Sequence, residues 1–235
     1  MLREIALDTE TTGLNPLGGD RIVEIGCVEM RGNVRTDKFF HAYINPERSM
    51  PRAAEEVHGL SEDFLRDKPV FSKIVGPLLE FLGDSPLVIH NAGFDMGFLN
   101  MELERCGKKS IPMERAVDTV VMARKKFPGQ PASLDALCRR FNIDLSRRTK
   151  HGALLDAELL AEVYLELQGG RQTLLALNME EEAATEQSLT VSQVSANVVR
   201  RHFSVSAEEQ AAHRAFIGKL KDAAWYRFGL LEKAE

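Results

Sequence analysis

The chain has 235 residues, 44% of them hydrophobic and 28% charged, an ordinary soluble composition with room for one sizeable domain and an appendage. No apolar run approaches the roughly 20 residues of a membrane span, and the scattered Cys27, Cys106 and Cys138 form neither a disulfide frame nor a zinc pattern, so reduced buried thiols and a cytoplasmic setting are expected. The formal net charge of −5 excludes capture of nucleic acid by a basic surface alone; any action on nucleic acid calls for bound cations or a partner that delivers the substrate.

The first predicted element is the strand within residues 2–13, where apolar Ile5, Ala6 and Leu7 lead into two acids, Asp8 and Glu10. Side chains two apart on a strand share a face, so both carboxylates project from one spot. Two such charges at the edge of a core are unfavourable unless something positive sits between them, and a hard divalent cation is the usual solution. A pair of solvated surface acids is the alternative for an isolated Asp-x-Glu. Residues 21–30 and 34–44 read as two further strands joined by a polar turn, completing an antiparallel meander. Helices are expected from Pro51 to Glu56, after the capping residue Ser61, and over 70–82 with Ile74, Leu78, Phe81 and Leu82 inward.

Residues 86–91 form a short strand breaking into a turn, followed by a helix over 93–106 that packs through Phe94, Phe98, Met101 and Leu103. Ala116 and Val117 suggest the last strand, with Asp118 capping a helix over 119–126; a second helix covers 133–141 and a third covers 153–167. Three antiparallel strands and then alternating strands and helices imply an α/β architecture, a mixed five-stranded sheet covered by helices. Gly169 and Gly170 end the domain of residues 1–170. Residues 178–206, rich in Glu, Ala, Ser and Thr, read as a flexible linker. A capping-box pattern at Ser206 and Glu209 then opens a helical segment, 207–235, whose apolar stripe runs through Phe216, Leu220, Trp225 and Phe228.

Two further acids share a placement. Asp95, in His90-Asn91-Ala92-Gly93-Phe94-Asp95, and Asp156, in His151-Gly152-Ala153-Leu154-Leu155-Asp156, each fall in the first turn of a helix. Alone, either is a helix-start acid complementing the dipole. In this order, Asp-x-Glu, His-Asn-x-x-Phe-Asp and His-x-x-x-x-Asp resemble the DEDDh exonucleases of the ribonuclease-H-like superfold. Asp-Thr-Glu-Thr-Thr-Gly at 8–13, Val-His-Gly-Leu at 57–60 and His-Gly-Ala-Leu-Leu-Asp-Ala at 151–157 extend the similarity to the proofreading subunits of bacterial replicative DNA polymerases, over about residues 1–177.

The resemblance implies that Asp8, Glu10, Asp95 and Asp156 bind two divalent cations, Mg²⁺ or Mn²⁺, and that His151 is the base. Phosphodiester hydrolysis suits this set: two ions ~3.5–4 Å apart stabilise the phosphoryl charge and help the nucleophile, and a histidine with an unperturbed pKa near ~6.5 can take its proton. By the same resemblance Thr11, Gly13, Leu14, Val57, His58, Asn91 and Phe94 hold the terminal nucleotide, although Thr11, Gly13 and Leu14 read equally as a turn and Phe94 as core. His90 is expected to be structural. The basic positions Arg139, Arg140, Arg147, Arg148 and Lys150 could line the phosphate path or be solvated faces.

The tail carries the partners. Residues 171–177 include Gln172, Leu175 and Leu177, resembling short peptides that occupy a pocket on the sliding clamp. The 207–235 segment resembles the tether to the polymerase alpha subunit, and a further small core subunit is compatible with the resemblance. A tether answers the charge problem, because an effective concentration of order mM needs no basic surface. The implied activity is 3′→5′ removal of mismatched DNA ends as 5′-monophosphates, in the cytoplasm and at the nucleoid through the replisome. RNA ends are the alternative substrate, and a non-cutting interaction subunit is the alternative class.

Overall fold

In the computed structural model the chain divides into two compact units, 1–179 and 180–235, within which the structure describes residues 2–32, 34–146, 148, 150–170 and 205–217. The first unit holds a five-stranded sheet in the order β3-β2-β1-β4-β5, built from β1 (Arg3–Thr11), β2 (Ile22–Arg31), β3 (Val34–Tyr43), β4 (Leu87–Ile89) and β5 (Ala116–Asp118). The meander β1-β2-β3 is antiparallel, whereas β4 and β5 join β1 in parallel. Parallel strands need long crossovers, and helices fill them: α1 (Arg52–His58), α2 (Glu62–Arg66) and α3 (Phe71–Leu82) before β4, and α4 (Ala92–Arg105) between β4 and β5; α5 (Thr119–Lys126), α6 (Leu134–Arg140) and α7 (Ala153–Leu167) follow β5. The expected mixed sheet and most of the expected boundaries are present.

Strand alternation divides the core into two. Ile5, Leu7, Ile25 and Cys27 face one layer with Phe71, Leu78 and Leu82 of α3 and Met96, Phe98, Leu99 and Leu103 of α4. Ala6, Val28, Met30 and Val88 face the other, with Ala157, Leu160 and Val163 of α7 and Leu137 of α6. Met101, expected inside, is only half-buried, and Met96 and Leu99 take its place on the packed face of α4. Ser61 caps α2 by accepting from the Phe64 amide, and Ser133 caps α6 by accepting from Ala136.

Every described cysteine is a free thiol, and Cys27 and Cys138 are buried. In the second unit the helix α8 (Ala207–Ile217) opens with the expected capping box: the Glu209 amide donates to Ser206 Oγ, and the Ser206 amide donates back to the Glu209 carboxylate. Phe216 is 62% exposed on it. The clamp-peptide residues Gln172, Leu175 and Leu177, most of the proposed linker, and Leu220, Trp225 and Phe228 lie outside the described residues. No described helix is long and apolar enough to cross a membrane.

Candidate active site

The site forms where β1 ends. Even-numbered β1 residues face α7, as the burial of Ala6 against Ala157 and Leu160 shows, so Asp8 and Glu10 share that face. Asp8 stands opposite Gly26 in the β1–β2 ladder and Glu10 opposite Glu24, with a register shift after Glu10 that bends the strand exit. Asp156, in the first turn of α7, is buried beside them.

The approach of α7 depends on a residue that motif reading overlooked. A Cβ on Gly26 would overlap the Ala153 carbonyl and the Leu154 amide, so only glycine lets the start of α7 lie directly on the strand across from Asp8. An isolated glycine inside a strand pattern is the sequence signal for such close approach.

Asp95 arrives from the opposite layer. It lies in the first turn of α4, is 2% exposed, and accepts a hydrogen bond from Thr9 Oγ1 at 2.7 Å, Thr9 being the odd-numbered residue between the two β1 acids. The turn before α4 is held by Asp118, whose carboxylate accepts from the amides of Asn91 and Ala92 and also from Val120 at the start of α5. Asp118 therefore caps as expected and also braces Asn91, which sits in the left-handed region at φ 67°. His90 Nδ1 pairs with Thr119 Oγ1, a structural contact.

The electrostatics of the cluster are unfavourable to its own charge. Burial and the repulsion of Asp95, Asp156, Glu10 and Glu24 push Asp8 well above the ordinary carboxylate range. Burial first, then Asp156, Glu24 and Asp95, push Glu10 up to about 8, against the opposing pull of Arg148. Burial raises Asp95 to about 7 although the Thr9 hydrogen bond works against it. Hard oxygen donors crowded until they resist ionisation match the requirement of a divalent cation, so the residues present fit the metal that the motif implies. Donor atoms of Glu10, His151 and Asp156 also lie within 4.8 Å of one another, which brings the expected base into the same cluster.

A cleft of about 600 Å³ opens beside these acids. Thr11, Gly13, Leu14, Val57, His58 and Phe94, all expected substrate contacts, line it, together with Thr9, Glu10, Asp20 and Ala54. Asn91 does not line it and is exposed at the head of α4. Leu14 and Val57 offer exposed apolar surface, while Phe94 is half-buried against Phe98 with ring centroids 4.9 Å apart. Gly13 has a structural duty as well, because a Cβ there would overlap the Asp20 carboxylate.

His58 is 6% exposed, and its Nδ1 accepts from the Leu60 amide. In the neutral ring favoured by burial, Nε2 then carries the proton and is itself buried, with the Thr11 backbone beside the ring. His151 is half-exposed, its amide 3.4 Å from the Val57 carbonyl, so the loop before α7 rests on the end of the helix that walls the cleft.

The basic positions divide. Arg140 lies over the Phe127 ring and reaches Gln130, away from the acids, and Arg148 points inward to Asp156 and Asp135. Lys150 is exposed, its chain passing over Gly59, and Arg147 lies outside the described residues.

Residues 5–164 match the family model described as Exonuclease. A protein named DNA polymerase III subunit epsilon from Rickettsia prowazekii is 51% identical over 225 residues, 93% of this chain and 97% of that relative. Exonuclease X in complex with 5′ overhanging duplex DNA matches with a TM-score of 0.54 at 27% identity, over 72% of this chain and 91% of that one. The nuclease domain of 3′hExo, a DEDDh family member bound to rAMP, shares the fold with a TM-score of 0.61 at 17% identity, over 71% and 91%.

Proposed function

The chain belongs to the exonuclease family, alongside the epsilon subunits of DNA polymerase III, and on that premise we propose that its acid cluster and cleft together proofread DNA 3′ ends. It is a 3′→5′ exonuclease. The observation that carries the substrate reading is the adjacency of four acids from β1, α4 and α7 to a cleft whose walls include the apolar Leu14, Val57 and Phe94. Such a cleft accepts an unpaired terminal base without reading its identity. A mismatched end unpairs at lower cost than a matched one, so the selection is energetic.

Asp8, Glu10, Asp95 and Asp156 would hold the divalent cations, Mg²⁺ or Mn²⁺, and these when bound would stabilise the charge that develops on the phosphoryl oxygens and lower the pKa of the attacking water. The protein's own groups do the rest. His58, on the cleft wall, contacts the terminal nucleotide. Phe94 supplies a stacking face. His151 accepts the proton of the attacking water through a ring nitrogen. Thr9 keeps Asp95 turned toward β1.

Residues 1–170 form the exonuclease domain, 171–177 the clamp peptide, 178–206 the linker and 207–235 the segment that joins the DNA polymerase III alpha subunit, with Phe216, Leu220, Trp225 and Phe228 as its apolar contacts. The protein works in the cytoplasm, at the nucleoid through its polymerase. The capping box of α8 and the exposure of Phe216 support this reading of the tail. The deciding measurement is release of mononucleotides from DNA and RNA 3′ ends, each with and without a chelator. Chelator-sensitive release from DNA is expected; a strong preference for RNA would overturn the proofreading reading.

A further inference from the structure

Arg148 sits three residues before His151, and its guanidinium reaches into the centre of the site. Nε donates to Asp156 Oδ1 at 2.6 Å and Nη2 to Oδ2 at 2.7 Å, a two-pronged pairing that takes both carboxylate oxygens. Nη1 donates to Asp135 Oδ1 on α6, and Nη2 also lies 2.9 Å from His151 Nδ1. The Arg148 side chain is only 9% exposed, so this is not one of the solvated surface pairs that contribute little. A guanidinium is a donor only and keeps its proton, so the His151 nitrogen it faces must present a lone pair. In the neutral ring the proton is then on Nε2. One guanidinium thus engages His151 Nδ1 and both Asp156 oxygens.

We propose that Arg148 is a positioning residue that acts through Asp156 and His151, holding both in a closed arrangement from which Asp156 must part before it can hold a divalent cation and His151 can accept a proton. The proposal rests on the reading of Asp156 as a cation ligand and His151 as the base. Asp135 makes the exchange possible: on the far side of the guanidinium, it leaves Arg148 one carboxylate partner when Asp156 is withdrawn, so the positive charge is never stranded without a partner. The same arrangement accounts for the sequence Arg148…His151…Asp156, which puts clamp, base and ligand on one loop and the first turn of one helix.

The test is calorimetric titration of the full chain with Mn²⁺ in the absence of DNA, which reads cation binding rather than turnover. Arg148→Met removes the competitor and is expected to bind Mn²⁺ about tenfold more tightly, the value of one charge-assisted hydrogen bond released. Asp135→Asn leaves Arg148 wholly dependent on Asp156 and is expected to weaken Mn²⁺ binding. Arg148→Lys keeps the charge without the fork and should fall between the parent and Arg148→Met, a comparison that stands even if the methionine variant fails to fold.

Opposite shifts in Arg148→Met and Asp135→Asn are the signature of the clamp. Weakening in both, or no change in Arg148→Met or Arg148→Lys, makes Arg148 a structural brace and overturns the proposal. Asp156→Asn in the same titration separates the premise from the inference: parental Mn²⁺ affinity in that variant would show that the reading of Asp156 itself is wrong.

Discussion

Two groups of acids lie at opposite ends of the β1–β2 pair, and their environments differ in kind. At the start of β1, Glu29 is 2% exposed and takes hydrogen bonds from Arg3, Arg31 and Thr36, which pull its carboxyl down to about 2, Arg3 contributing most. Beside it Glu4 accepts from the Tyr164 hydroxyl at 2.8 Å. At the far end burial, and then the repulsion of neighbouring carboxylates, pushes Asp8 and Glu10 upward, burial pushes Asp95 up as well, and Arg148 is the cation that pulls Glu10 the other way. One end is a finished ion pair that holds the sheet together. The other is left short of positive charge, which is the arrangement expected where a ligand cation completes the structure.

The sharpest break of that contrast is a pair of substitutions. Asp8→Ala should lower mononucleotide release by about 10³-fold or more, the equivalent of several kcal/mol of transition-state charge stabilisation, while leaving the melting temperature unchanged or raised because repulsion is relieved. Glu29→Gln should do the reverse, costing about 2 kcal/mol of stability in denaturant titration, below the range for fully buried pairs because Arg3 and Arg31 reach solvent, with turnover of the folded protein preserved. Equal loss of stability in both would erase the distinction.

Gly26→Ala comes next. The added methyl displaces the start of α7 from β2, and a misplacement of order 1 Å at Asp156 should cost about 10²-fold in kcat, with about 1–3 kcal/mol of destabilisation from overpacking. Steady-state kinetics beside thermal melts would check it, and unchanged kcat would show that α7 tolerates the shift.

Protons probe the two ends separately. For Glu10, with a folded pKa of about 8 against an unfolded value near ~4.3, the native state binds the extra proton between those values, so stability falls as pH rises through that window. For Glu29 the sign reverses: its contribution is present above the unfolded value and lost as pH falls toward about 2. Melting in chelator should therefore drop by a few degrees from pH 5 to 8, and added Mg²⁺ should restore it at the upper end. A melting temperature indifferent to Mg²⁺ at pH 8 would contradict the incomplete-charge view. The smallest effect is expected for Thr9→Val, which removes the Asp95 hydrogen bond: about 1 kcal/mol and a loss of turnover under tenfold.

Much of this was legible in residues close in sequence. Alternation placed Asp8 and Glu10 on one face, Ser61 and Asp118 announced their helices, and Ser206 with Glu209 spelled out a cap. Less legible were Met96 and Leu99 in place of Met101, since helix phase depends on which side the sheet lies. Asn91, expected at the strand end, was assigned by its neighbours in the motif; its backbone role at the head of α4 became visible only with Asp118 folded beneath it.

What the sequence by itself determined is the set of acids and the order of the strands and helices, because periodicity, capping and motif spacing are local properties of the chain. The tertiary structure alone decided how those acids meet. Gly26 opposite Asp8 and Thr9 turned to Asp95 across the strand are pairings over separations that no local pattern encodes. They exist because the sheet brings β2, α4 and α7 to one strand end, where close approach favours glycine and crowded carboxylates demand a cation.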